Sequence, residues 1–321
     1  MLHRVLMLIV IAAASSWLCT SAGAADPKVP PGQDPGGIAI ALIGAGVDYT
    51  SPKIALRLAR DGEGELIGWD VIDNDRAPYP APAPISGRGG SAGIAEKSGS
   101  TSTPALSSQS AQPSEDDTET AVLMLEAYAN GRLVPIRTQP GDAQALAKAI
   151  AFATGTPARI VVILQPLDNV PLRLVMRQAS ERFKDHLFIV AGYGSGADAP
   201  TPASGGEPLP SLMNLANVLV VGSLDDVKGK SLDEVIKESD LVVMPRGGSM
   251  FAGTVEGAPP RNGREAAALA GASAACQEHG RAEPLKGSAL KATMLDVGRT
   301  LPDMPGMRVL DPMCWYGGVR N

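Results

Sequence analysis

The sequence predicts an α/β domain built on a mostly parallel central sheet with helices on both faces, and three observations predict it. Six short runs, 38–43, 133–136, 160–164, 187–191, 218–221 and 241–243, are continuously aliphatic and β-branched, as strands buried on both sides must be. Ala- and Leu-rich stretches with helical spacing fall between several of them, the alternation that parallel crossovers require. Hydrophobic residues make up 44% of the chain and aromatic ones only 4%, so the core is one of Ala, Val, Leu and Ile.

Taken in order, residues 1–25 read as a signal peptide. His3 and Arg4 precede an apolar run over 5–14, and Ala22-Gly23-Ala24 supplies a small-residue cleavage pattern, so one mature domain is expected over 26–321. The run is too short to span a bilayer, and no later stretch approaches about 20 apolar residues. Insertion after cleavage is thus excluded, and because Cys19 follows Leu18, where a lipoprotein signal wants a small residue, the sequence also argues against a lipid anchor. The expected location is the periplasm or the exterior.

Beyond the strand at 38–43, residues 76–115 are nearly free of large apolar side chains and cannot bury enough surface to offset their ordering entropy, so they read as a disordered low-complexity insertion. Helices are expected over 119–128, 143–154, 171–182, 266–277 and 284–295. Asp142 is placed as an N-cap, and Pro171 and Pro284 sit where a first turn accepts proline. Ligands of such sheets bind at the carboxyl ends of the strands, which directs attention to the residues after Ile43, Ala191 and Val243.

The net charge of −6 offers no electrostatic footprint for nucleic acid. No His/Cys/Asp/Glu spacing matches a metal-ligand set. The glycines of 192–196 lack the dinucleotide spacing, so no cofactor is expected. Cys276 and Cys314 are the cysteines left after export and can form one disulfide at most.

A set of ordered motifs carries a resemblance. Ile38-Ala-Ile-Ala-Leu-Ile-Gly-Ala-Gly-Val-Asp48 is followed by Gly68-Trp-Asp-Val-Ile-Asp-Asn-Asp75, then by Asp116-Asp-Thr-Glu-Thr-Ala-Val122. Later come Gln165-Pro-Leu167, Val190-Ala-Gly-Tyr-Gly-Ser-Gly196, Asn217-Val-Leu-Val-Val-Gly-Ser223, Leu241-Val-Val-Met-Pro-Arg-Gly247 and Gly263-Arg-Glu-Ala-Ala-Ala-Leu-Ala-Gly271. Together these resemble, in the family's own order, the framework of the subtilases, the subtilisin-like serine peptidases. The resemblance implies their three-layer fold from about Ile38 to the C-terminus.

It does not carry their catalysis over. Gly44 stands at the family's catalytic Asp, Thr118 at its His, Glu265 at its Ser and Tyr193 at the Asn that donates to the oxyanion. Glycine cannot orient an imidazole, threonine is no base near neutral pH, glutamate is no alcohol nucleophile and tyrosine lacks the amide donor. Losing one oxyanion donor costs roughly 3 kcal/mol of barrier, and disabling the serine–histidine pair removes about a millionfold in rate.

Two rescues are weaker than this reading. Gly248-Ser249-Met250 imitates a nucleophile motif, but the turn-rich residues 253–260 cannot supply the helix that Ser249 would need. A Glu/Asp arrangement of the related sedolisin type at Asp116, Asp117 and Glu119 lacks a serine at 265, so these acids read as helix N-terminal charges. His186 reads as a surface turn residue, and His279 as a helix C-terminal one. The expected function is therefore that of an exported pseudopeptidase binding an extended peptide or a periplasmic protein. The alternatives are an active serine endopeptidase with non-standard residues, and a structural component of a periplasmic complex.

Overall fold

A computed structural model describes residues 26–80, 117–167, 169–192, 212–223, 239–243, 262–301 and 304–310. The strands are β1 (Ile38–Gly44), β2 (Trp69–Asp70), β3 (Gly131–Arg137), β4 (Ile160–Ile163), β5 (Leu187–Ala191), β6 (Val218–Ser223), β7 (Leu241–Val243), β8 (Arg299–Leu301) and β9 (Met304–Leu310). The helices are α1 (Pro52–Ala55), α2 (Thr118–Ala127), α3 (Ala143–Thr154), α4 (Val170–Arg182), α5 (Gly263–Glu278) and α6 (Gly287–Val297), with one 3₁₀ turn at Leu212–Asn214.

Among the described residues the strands form one sheet in the order β2-β3-β1-β4-β5-β6-β7-β9-β8, and every pairing is parallel except β8 with β9 at the edge. The two-residue alternation of β1 sorts the core into two layers. Ile40 and Leu42 join Met124 of α2, Leu269 of α5 and Met294 of α6, while Ala39, Ala41 and Ile43 join Leu146 of α3 and Met176 of α4. Helices thus cover both faces, giving the α/β three-layer architecture.

Local chemistry sets the helix ends. Asp142 caps α3 as expected, its carboxylate accepting from the amides of Gln144 and Ala145. Asn169 does the same for α4 through the amide of Leu172. The last helix begins at Gly287 and not at Pro284. The buried Glu278 carboxylate accepts the Leu285 amide and holds the preceding turn extended, and a Cβ at 287 would strike the His186 carbonyl.

Three features differ from the sequence expectation or extend it. The stretch expected to be disordered opens with residues that pack: Pro78 accepts from the Val47 amide at 3.1 Å, and the Tyr79 ring meets Tyr49 edge-on at 5.2 Å. From residue 81 it lies outside the described residues. His186 sits in the turn before β5, as expected, but is half-buried between Phe183 and Phe188. Lys291 of α6 is buried and donates to the carbonyls of Met213 and Leu215 while pairing with the buried Asp240 at 3.2 Å, a link that no motif announced. Burial pushes the Asp240 carboxyl up and the Lys291 amine down, and their mutual attraction works against both shifts.

Candidate functional site

The carboxyl ends of the central strands are tied to one another. The Thr138 amide donates to the Gly44 carbonyl at 2.8 Å, and the Leu164 amide to the Ile43 carbonyl at 2.9 Å. The amino end of α2 arrives over this edge, because the Asp117 amide donates to the Gly46 carbonyl at 2.9 Å and the Asp48 amide donates to the Thr118 hydroxyl at 2.8 Å. The amino end of α5 arrives beside it, capped by Asn262, whose side-chain oxygen accepts the Glu265 amide at 2.9 Å.

At the meeting point lies Asp117. Its side chain does not cap its own helix. One carboxylate oxygen accepts the Ala45 amide at 2.5 Å, and the other pairs with the Arg264 guanidinium. The Asp117 side chain is 1% exposed and that of Arg264 39%, so the anion is sealed in and the cation faces outward in part. The absence of a side chain at 44 makes this possible, since a Cβ on Gly44 would fall on the Asp117 carboxylate. Asp117 is the N-cap residue of α2, whose positive end favours an anion there.

The structure therefore gathers Gly44, Thr118 and the first turn of α5, which holds Arg264 and Glu265, around one point. From the sequence alone Asp117 is a helix-terminal charge and Arg264 has no role. The only signal for their pairing was opposite charge at two positions next to Thr118 and Glu265.

The two histidines outside the first 25 residues are elsewhere. His279 caps the far end of α5, a helix about 24 Å long. His186 precedes β5, at the amino edge of a sheet whose carboxyl edge carries Gly44. Gln165, following β4, is buried with neither atom of its amide hydrogen-bonded, and Pro166 beside it is exposed. Tyr193 and Ser249 lie outside the described residues. Cys276 of α5 is disulfide-bonded, and Cys314 lies outside the described residues. Among the described residues no cluster of His, Cys, Asp and Glu could hold a metal ion, and no helix is long and apolar enough to cross a membrane.

No protein-family model matches this chain, and no curated protein does. Solved structures do match. A cold-adapted subtilisin-like serine proteinase superposes over 89% of this chain and 93% of its own with a TM-score of 0.50 at 12% identity. A lanthipeptide protease does so over 88% of both chains with a TM-score of 0.53 at 13% identity. At such identities the likeness speaks for architecture: the chain has the subtilisin-like α/β fold.

Proposed function

We propose that this chain is an exported, non-catalytic relative of the subtilisin-like peptidases that binds an extended peptide. The observation that carries the proposal is the Asp117–Arg264 ion pair beside Gly44. In the alignment of motifs, Gly44 and Thr118 stand where the peptidases keep the acid and base of their triad. Each oxygen of the Asp117 carboxylate is engaged, one by the Arg264 guanidinium and one by the Ala45 amide, so the ion pair holds it as a buried counter-charge to an arginine instead of as the partner of an imidazole. His186 and His279 lie at the opposite edge, so among the described residues no histidine is within hydrogen-bond reach of that carboxylate.

Peptide binding needs none of this chemistry. Peptides that add a strand beside an existing one are held by main-chain hydrogen bonds, with pockets reading alternate side chains. The neighbours in fold include a lanthipeptide protease, which supports a peptide as the ligand class. Pro166 has no N–H to offer, so a strand laid along the segment after β4 forms one main-chain bond fewer there. Export is supported by the signal-like residues 1–25 and by the disulfide-bonded Cys276, since disulfides persist in oxidising compartments.

The test exposes the secreted protein to a fluorophosphonate probe and to a broad peptide library, read by mass spectrometry. The expected result is no labelling and no cleavage, with a subset of extended peptides retained on the immobilised protein. Labelling at Ser249, or cleavage abolished by Ser249→Ala, would overturn the non-catalytic reading. Retention of no peptide at all would remove the binding half.

A further inference from the structure

At the amino edge of the sheet, opposite the site above, lies a cavity of about 300 Å³ lined by Gly36, Gly37, Arg57, Asn130, Gly131 and His279 among others. Seven residues of β1 separate the two edges, about 20 Å. Both helices that begin at the Asp117 site end here: α2 runs out at Ala127 and α5 at Glu278.

Two nitrogen-bearing side chains, Arg57 and His279, border the cavity with donors to spare. Arg57 is half-buried. Its Nε and Nη2 donate to the carbonyls of Gly131 and Tyr128 at 2.6 to 3.0 Å, which neutralises the negative end of α2. That leaves Nη1, which makes no hydrogen bond among the described residues. Arg132, Arg137 and Arg264 each meet a carboxylate, whereas Arg57 meets none there. The loop acid Asp34 is committed to Arg132 and to the amides of Arg60 and Gly36.

His279 is exposed, and its Nδ1 lies 3.0 Å from the Tyr128 hydroxyl. In the tautomer whose Nδ1 accepts from the phenol, Nε2 carries the proton and is a second donor at the cavity. The negative end of α5 is also met by a cation, through Arg281 Nε to the Gln277 carbonyl at 2.6 Å. The wall beside these donors is free of bulk: Gly36 has left-handed backbone with φ +72°, and a Cβ there would meet nothing within 4 Å.

We infer that this cavity binds a small oxyanion, a phosphate or carboxylate, between Arg57 and His279. A cavity of this volume sits at the lower end of small-molecule sites. Charge-assisted hydrogen bonds from a guanidinium and an imidazole are the contacts that recognise such a group. The site is independent of peptide binding and of the state of the Asp117 hollow.

The experiment titrates the purified full chain with inorganic phosphate and, separately, with citrate at constant ionic strength, by calorimetry and by the His279 imidazole resonances. Saturable binding of at least one below about 10 mM is expected, weakened about tenfold in both His279→Ala and Arg57→Met. Tighter phosphate than citrate would mark a phosphorylated ligand, and the reverse a carboxylic acid. Because Arg57 also caps α2, Arg57→Met can disturb folding, and His279→Ala at the exposed helix end decides alone in that event. Absence of saturable binding by either ion, or undiminished binding in His279→Ala, would overturn the assignment.

Discussion

Gly44 and Arg264 each hold Asp117 in place by a different physical route, and each route can be broken separately. Gly44→Asp sets a new side chain onto an existing carboxylate and adds a like charge, so it should destabilise by about 3 kcal/mol or more in urea unfolding. Arg264→Met leaves a sealed anion with one backbone amide and should cost about 3 kcal/mol, while Asp117→Asn keeps an acceptor beside a partly exposed guanidinium and should cost less. Equal costs for the two would mean that the pair is solvated and not sealed. His186 makes a separate, pH-dependent contribution. Burial, reinforced by Arg159, holds its imidazole below the ordinary value of 6.5. The unfolded chain therefore binds the proton first, and stability that is fully present above about pH 6.5 is lost as pH falls towards the folded value. Melting temperatures between pH 7.5 and 5 should fall less in His186→Asn than in the parent. An unchanged slope would show that other groups govern it.

Helix α5 illustrates how an element is fixed by what it lacks. It is buried along nearly its whole length and lies on the sheet so closely that a Cβ on Gly271 would come within 2.6 Å of Val162 Cγ2. Alanine favours helix by about 1 kcal/mol over glycine, but a β-branched neighbour in the sheet cannot rotate away. Gly271→Ala should therefore destabilise by about 1 kcal/mol, and Val162→Ala in the same chain should offset part of that loss. If Gly271→Ala alone stabilises, the packing is looser than described. The Lys291–Asp240 pair joins α6 to the turn before β7 in a similarly closed setting. Lys291→Met should cost about 3 kcal/mol, and adding Asp240→Leu should recover much of it, measured as a double-mutant cycle. The strands and long helices were legible because buried parallel strands are unbroken apolar runs and the helices carry caps such as Asp142. Strand β9 was not, since Pro305 and Gly306 interrupt any apolar run there, and neither is among its paired positions.

The subtilisin-like architecture could be read from the order of several short motifs, none of which is decisive alone, and it stands at 12 to 13% identity. The candidate site was half legible. Its positions could be aligned, but the pairing of Asp117 with Arg264 joins residues 147 apart, and no local pattern specifies it. Likewise, the half-buried state of His186 comes from two phenylalanines that meet it only after the chain folds. The covalent closure of the chain can be checked directly: non-reducing peptide mapping should recover Cys276 linked to Cys314, and two free thiols would remove the support that Cys276 lends to export. The empty position at the end of β1 also constrains how this sequence can change. With an acid seated at 117, no amino acid larger than hydrogen fits at 44, so any mutational route towards a strand-borne acid must pass through position 117 first. The order in which these two positions can be exchanged is thereby set by packing, 117 before 44.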